Sequence, residues 1–143
     1  MTHEHTTEIS LNGTKATVTG KGGLPIFTYT INSMIFIKTQ FEGIHFYPDA
    51  PEGVEFLKHP HRHVFHVRVW IDVFHNDRDI EFILFKRYVE SLLKDGNMNH
   101  KSCEMISDDL FALIGSVYPN RNVWIEVSED DENGSFKQYN VRG

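Results

Sequence analysis

The sequence contains no run of about 18 consecutive apolar residues, so it predicts no membrane-spanning helix. Its 143 residues include one cysteine, Cys103, which excludes an internal disulfide and fits a reducing, cytoplasmic compartment. The first residues are polar and lack the apolar core of a secretory signal. A net charge of −6 argues against nucleic-acid binding through a basic surface. We therefore expect a cytoplasmic domain that binds neither membranes nor nucleic acids.

Aromatic residues are abundant enough to build a substantial core. The sequence holds eleven phenylalanines, five tyrosines and two tryptophans, and 40% of its residues are hydrophobic. Near the start, Asn12-Gly13 separates two short β-like runs, which is a strong signal for a two-residue hairpin turn. We interpret residues 1–30 as a disordered tip, at residues 1–7, followed by a β-hairpin extension that adds a sheet edge or an oligomer contact. Residues 31–143 are interpreted as the main domain.

Residue spacing predicts the elements of that domain. Strands are predicted over 26–45, with a break near Asn32-Ser33, and over 63–74, because one phase of each is mostly apolar. Two helices are predicted by apolar stripes, one of Phe82, Phe85, Val89 and Leu92 and one, after the N-cap candidate Ser102, of Ile106, Leu110, Leu113, Ile114 and Val117. Two more strands are predicted over 121–129 and 135–141. This order predicts an α+β fold in which two helices cover one face of an antiparallel four-stranded sheet.

Three histidines carry the strongest functional signal. His61 and His63 are two residues apart on a predicted strand, so their imidazoles point to the same side of the sheet. His45 ends the preceding strand in an apolar phase, where it would supply a third imidazole. Three imidazoles with one position left open for water or substrate are typical of a catalytic zinc site. We therefore predict that His45, His61 and His63 bind Zn²⁺.

Five short segments occur in an order that matches one enzyme family. They are Phe41-Glu42-Gly43-Ile44-His45, His61-Arg62-His63 with the alternating residues after it, Ile80-Glu81-Phe82, Lys101-Ser102-Cys103-Glu104 and Val127-Ser128-Glu129-Asp130. On these segments, the chain resembles the 6-pyruvoyl tetrahydropterin synthase and 6-carboxytetrahydropterin synthase family over roughly residues 34–141. The resemblance implies a T-fold of ββααββ order. It also implies a homo-oligomer, from dimer to hexamer, in which joining subunits removes exposed sheet edges.

The resemblance also implies roles for individual residues. His45, His61 and His63 match the family's three zinc ligands. Glu129 matches the glutamate that holds the pterin ring, a task that suits a carboxylate because the ring presents paired N–H donors. Glu104 matches the glutamate at the opening of the second helix and is assigned to substrate binding. The implied activity is that of a zinc-dependent lyase acting on a small pterin-like partner, a substrate similar to dihydroneopterin triphosphate.

The proton-transfer residues of the family are not all present. The family's catalytic cysteine lies four residues before the His-x-His pair, where this chain has Leu57. If the pair is read instead as His59-Pro60-His61, that position becomes Glu55, which is then a candidate catalytic base. The family has an Asp-His pair between the helices, and here the shortened segment contains only His100. His100 is therefore the second candidate.

Three functions remain open on the sequence alone. The first is the lyase, and the second is a non-catalytic T-fold protein that binds zinc and a pterin or purine ring. The third is a zinc hydrolase in which the same three histidines activate water. Cys103 is interpreted as a buried structural thiol rather than a catalytic one, and Asp130, Asp131 and Glu132 as a solvated turn.

Overall fold

The structure, a computed structural model, describes residues 5–21, 24–25 and 31–142. The chain divides into two compact units, residues 1–32 and residues 33–143. Among the described residues, no helix is both long enough and apolar enough to cross a membrane.

The first unit is a three-stranded antiparallel sheet of β1 (His5–Leu11), β2 (Thr14–Lys21) and β3 (Leu24–Pro25). Strands β1 and β2 form a hairpin in which Leu11 lies opposite Thr14. Both turn residues, Asn12-Gly13, have positive φ, 49° and 79°, a conformation that asparagine and glycine adopt most easily. The predicted hairpin is therefore present. The prediction of a disordered tip over residues 1–7 is wrong from His5 onward, because β1 begins there.

The second unit contains a sheet of five strands in the order β6-β4-β5-β7-β8, which are β4 (Ser33–His45), β5 (His61–Val73), β6 (Asn97–Asn99), β7 (Val123–Glu129) and β8 (Asn133–Tyr139). All neighbouring strands are antiparallel except β6, which pairs in parallel with the end of β4. The β4–β5 ladder runs from Ser33 opposite Val73 to His45 opposite His61. This ladder brings the C-terminal end of β4 beside the start of β5.

Two helices, α1 (Phe82–Leu92) and α2 (Cys103–Val117), pack on one face of this sheet. Ser102 is the N-cap of α2 as predicted, since its side chain accepts a hydrogen bond from the backbone N–H of Met105. The core comes from the predicted apolar phases and stripes and includes Ile37, Phe65, Val67, Val69, Ile71, Phe85, Val89, Ile106, Leu110 and Ile114. Phe82, Leu113 and Val117, which the predicted stripes included, are about half exposed.

The broad α+β prediction with two helices is confirmed, but the sheet has five strands rather than the predicted four. The extra strand, β6, lies in the segment between the helices and is too short for residue alternation to reveal it. Gly96 permits its close approach to β4, because a Cβ there would lie 2.4 Å from the Glu42 carbonyl oxygen. The Gly96 carbonyl then accepts a hydrogen bond of 2.8 Å from the Ile44 N–H.

Several strand boundaries also differ from those predicted. Strand β5 begins at His61, two residues before the predicted start, so both histidines of the pair lie within one strand. Strand β4 begins at Ser33, and residues 26–30 of the predicted strand lie outside the described residues. Strand β8 begins at Asn133, which shortens the turn after β7 to three residues.

Candidate metal centre

The three predicted ligands meet at the end of the β4–β5 ladder. His45 and His61 face each other across the two strands, and His63 lies opposite Gly43, two residues along. Residues of this phase point toward the helix-covered face, which explains why His45 is 8% exposed. Each of the three histidines offers one ligand atom, and these atoms all lie within 4.8 Å of one another. The prediction that the three side chains converge is confirmed, and they can hold a metal ion.

The Nδ1 nitrogens of two of these rings form hydrogen bonds with backbone carbonyls. His45 Nδ1–H donates to the Lys101 carbonyl oxygen at 2.9 Å, and His61 Nδ1–H donates to the His59 carbonyl oxygen at 2.8 Å. A carbonyl oxygen only accepts, so in the neutral form of each ring the proton is on Nδ1 and the lone pair is on Nε2. This arrangement prepares an imidazole for metal binding through Nε2.

The third ring is held by a carboxylate. His63 Nδ1 lies 2.7 Å from Asp130 Oδ2, and Asp130 Oδ1 accepts a hydrogen bond of 3.0 Å from the Val64 N–H. The backbone N–H of Val64 and the ring of His63 together hold the pKa of Asp130 below its usual range. A histidine ligand whose second nitrogen faces a carboxylate is oriented and made more basic toward a metal. Asp130 thus belongs to the centre and is not the plain solvated turn residue that the sequence suggested.

A second carboxylate, that of Glu129, lies close to the Nε2 nitrogens of two histidines. Glu129 Oε1 lies 3.1 Å from His45 Nε2, and Glu129 Oε2 lies 3.4 Å from His63 Nε2. Neither nitrogen forms a hydrogen bond among the described residues, although both are buried, so the short contacts lack hydrogen-bond geometry. Neither Glu129 nor Asp130 pairs with a lysine or arginine of the described part of the chain. Lone pairs and carboxylates facing one centre repel each other, and a cation between them would remove that repulsion.

Phe65 forms the base of the histidine cluster. Its ring packs edge-on against His45 and His63, at centroid distances of 5.2 and 6.0 Å, and stacks on Phe41 at 5.2 Å. The ring fits there because Gly43 has no side chain, since a Cβ at Gly43 would lie 2.7 Å from two of the Phe65 ring atoms. The buried Phe65 ring, packed against the partly buried Phe41, restricts the positions of the histidine rings above it.

A cavity of about 510 Å³ opens beside the histidines. That volume suits a small-molecule ligand. It is lined by His45, Phe46, Tyr47, Leu57, His61, His100, Lys101, Ser102, Cys103, Glu104, Met105, Glu129, Asn133 and Gly134. Glu129 and Glu104, the two residues predicted to bind substrate, therefore border one cavity together with two of the metal ligands.

The candidate proton-transfer groups are divided between the cavity and the outer surface. Leu57 and His100 line the cavity, whereas Glu55 does not. Glu55 is exposed, its carboxylate accepts a hydrogen bond from the Gly53 N–H, and backbone hydrogen bonds from Glu55 and Gly53 lower its pKa. A carboxyl group with a lowered pKa is a poor proton acceptor at neutral pH. His100 is thus the better placed of the two predicted catalytic residues.

Cys103 also lines the cavity but is not suited to nucleophilic chemistry. The thiol is buried, and burial together with the negative charges of Glu129 and Glu104 raises its pKa to about 12. The reactive form of cysteine is the thiolate, which such a pKa suppresses at neutral pH.

Sequence reasoning missed three contributors to the centre: Asp130 and the carbonyls of Lys101 and His59. Only Asp130 left a signal in the sequence, as an acidic residue directly after Glu129. Backbone carbonyls leave none, because every residue has one. Comparison of the chain with protein-family models and with curated proteins gives no match. What points to a function is the site itself, in which three imidazoles converge beside a cavity whose Glu129 carboxylate has no lysine or arginine partner among the described residues.

Proposed function

We propose that this protein is a zinc-dependent lyase of the tetrahydropterin synthase type, acting on a substrate similar to dihydroneopterin triphosphate. The observation that carries the proposal is the convergence of the three histidines beside Glu129 in one cavity. Three neutral imidazoles are the ligand set that zinc most often takes in catalytic sites. Bound zinc would supply Lewis-acid polarisation of the hydroxyl and carbonyl oxygens of the substrate side chain.

The pterin ring would bind at Glu129, whose side chain is 28% exposed at the cavity wall. A carboxylate accepts hydrogen bonds from the paired amino and ring N–H donors of a pterin. Phe46 and Tyr47 line the same cavity and would cover the apolar faces of the ring. Glu104, in the first turn of α2, would contact polar groups at the rim.

Proton transfer is assigned to His100, which lines the cavity. Imidazole is the side chain most often used for general acid and base catalysis near neutral pH. Glu55 is not assigned this role, because it lies outside the cavity lining and has a lowered pKa.

We propose the T-fold and a homo-oligomer as the frame for this site. The second unit places two helices on one face of its sheet, and both edges of that sheet are only partly paired among the described residues. Strand β4 pairs with β6 only at Ile44 and His45, and β8 pairs only with β7. Joining such edges between subunits would satisfy their backbone groups.

A non-catalytic binding protein is the second candidate. Leu57 lines the cavity at the position where the family carries its catalytic cysteine, and a leucine transfers no proton. Cys103 does not replace it, since its pKa of about 12 keeps the thiol protonated. A protein with this cavity could therefore hold zinc and a pterin or purine ring without converting it.

The test begins with metal content. We expect one zinc per chain in the purified protein and a loss of zinc affinity of at least about 100-fold in His63→Ala. His66→Ala is the matched control, because it changes a histidine of the same strand that points to the opposite face. Unchanged zinc binding in His63→Ala would contradict the metal centre.

Turnover of dihydroneopterin triphosphate then separates the candidates. The lyase predicts turnover that falls at least about 100-fold in His100→Gln while zinc content stays constant. Tight pterin binding without turnover would support the binding protein. Hydrolysis of simple esters or phosphates without pterin affinity would indicate the zinc hydrolase instead.

A further inference from the structure

The position of Glu129 relative to the histidines suggests a role besides ring binding. Its two carboxylate oxygens are divided between two rings, with Oε1 at 3.1 Å from His45 Nε2 and Oε2 at 3.4 Å from His63 Nε2. Glu129 is the last residue of β7 and lies opposite Phe65, the residue on which both rings rest. The sheet register therefore places the carboxylate next to the inner nitrogens.

These distances are close to those between two ligands of one tetrahedral metal ion. Zinc ligands lie about 2.0 to 2.2 Å from the ion, so two of them at the tetrahedral angle are about 3.3 to 3.6 Å apart. The 3.4 Å contact with His63 falls in this range, and the 3.1 Å contact with His45 is slightly shorter. The contacts also lack hydrogen-bond geometry, which means that the carboxylate oxygens lie away from the direction in which each Nε2 would donate or accept a hydrogen bond. Ligands of a common ion have this relation, because each lone pair points at the ion and not at the neighbouring ligand.

The two contacts with Glu129 are not hydrogen bonds. His45 donates from Nδ1 to the Lys101 carbonyl, on the other side of its ring. Among the described residues, the buried Nε2 atoms of His45 and His63 form no hydrogen bond, with Glu129 or with any other group. Buried polar atoms that lack a partner suit a site that a ligand completes.

We propose that Glu129 is the fourth metal ligand in the substrate-free protein and that its carboxylate leaves the metal to bind the ring when substrate enters. The metal ligation rests on the metal centre of the proposed function, and the release of the carboxylate rests also on its ring binding at Glu129. Among the described residues, the group whose ligand atoms lie within 4.8 Å of one another comprises the three histidines and does not include Glu129. Glu129 therefore lies beside His45 and His63 but not beside His61. Rotation of its side chain would bring the carboxylate within ligand distance of all three histidines.

This arrangement makes access to the centre depend on the substrate. A zinc site with four protein ligands is closed, whereas a catalytic site keeps one position for water or substrate. Because Glu129 cannot fully serve the metal and the ring donors at once, ring binding would open the fourth position. A substrate that lacks paired N–H donors would leave the centre closed.

The experiment measures zinc affinity by competition with a chromophoric chelator and records the visible spectrum of the Co²⁺-loaded protein, which reports the number of ligands. Loss of a group that hydrogen-bonds to a metal ligand typically costs about 10- to 100-fold in metal affinity. Loss of a ligand should cost at least as much, so Glu129→Gln should weaken zinc binding by about that factor or more and should alter the Co²⁺ spectrum. Glu129→Asp keeps the charge but draws the carboxylate back, so it should alter the spectrum as well. Circular dichroism verifies that each variant folds.

Two matched controls separate ligation from simple charge. Glu126→Gln makes the same change on β7 at a residue of the opposite phase, and Glu104→Gln removes a negative charge from the same cavity. Both should shift zinc affinity by less than about fivefold, the size of an exposed charge effect, and leave the Co²⁺ spectrum unchanged.

The outcomes distinguish this inference from the proposed function. Weaker zinc binding and an altered Co²⁺ spectrum in Glu129→Gln would support the fourth ligand. Wild-type zinc affinity and spectrum in that variant, with pterin binding lost, would overturn the inference and leave the proposed function standing. If the substitution His63→Ala also left metal binding unchanged, both would fail.

Discussion

Each end of strands β5 and β7 carries a polar cluster, and the two clusters differ in where the positive charge comes from. At one end, Arg121 donates to Asp79 at 2.8 Å and to the Asp72 carbonyl oxygen at 2.9 Å. At the other, Glu129 and Asp130 face three histidines with no lysine or arginine as a partner among the described residues. At the first end, Arg121 supplies a positive charge. At the second end, no described lysine or arginine does so.

The hydrogen bonds lead to the same distinction. Asp72 accepts from the Asn122 N–H and Asp79 accepts from the Phe74 N–H, while the Arg121 guanidinium also lies over the ring of Phe74 at 4.3 Å. At the histidine end, two buried nitrogens, His45 Nε2 and His63 Nε2, form no hydrogen bond with any described residue. Completed networks stabilise a fold, whereas uncompensated ones are typical of binding sites. The difference supports the metal centre proposed at the histidine end.

The largest expected effect comes from removing the carboxylate behind His63. Asp130→Asn should lower zinc affinity about 10- to 100-fold, since it weakens the orientation and basicity of a ligand. Asparagine is the suitable replacement because Asp130 has a φ of 55°, which asparagine tolerates. Chelator competition measures the change. Asp131→Asn, at the neighbouring residue with φ of 58°, is the control and should bind zinc normally.

Overpacking beneath the histidines should have the next largest effect. Gly43→Ala places a methyl group 2.7 Å from the Phe65 ring, so the ring or the strand must move. We expect a loss of about 1 to 3 kcal/mol in the free energy of unfolding, measured by urea denaturation, together with weaker zinc binding because His45 and His63 rest on that ring. Wild-type stability would show that Phe65 has room to shift.

The opposite end should respond in stability alone. Arg121→Met removes the cation of the Asp79 cluster, so we expect a lower urea midpoint and unchanged zinc affinity. The hydrogen bond from Arg121 holds the pKa of Asp79 below its usual range. The folded chain therefore binds fewer protons than the unfolded chain near pH 4, and this stabilisation is present above that pH and is lost on acidification. The gap between wild type and variant should accordingly shrink from pH 7 to about pH 3, and a constant gap would contradict the pairing.

The smallest effect is expected at Cys103. Cys103→Ala should leave zinc affinity and turnover unchanged, because a thiol with a pKa of about 12 takes no part in the chemistry. Alkylation of the wild-type thiol at pH 8 should be more than about 1,000-fold slower than that of an ordinary cysteine. Rapid alkylation coupled to loss of turnover would indicate that Cys103, and not His100, transfers the proton.

The sequence alone was enough for the features that depend on local pattern. Alternating apolar residues predicted the strands that became β4 and β5, and the spacing of His61 and His63 predicted that two imidazoles share one side. Ser102 was predicted as an N-cap because its side chain acts on the N–H of a residue three positions on. Such features require only that neighbours in the sequence are neighbours in space.

Tertiary structure decided whatever depends on residues far apart in the chain. Strand β6 forms only because Gly96 reaches Glu42, and Asp130 is a partner of His63 across 67 positions. The carbonyls of Lys101 and His59 fix the tautomers of His45 and His61. Every residue has such a carbonyl, so the sequence does not show which ones will do this. The sequence by itself determined which side chains could bind a metal. Only the packed sheet decided which way each imidazole nitrogen points, because that direction is set by hydrogen bonds to distant groups.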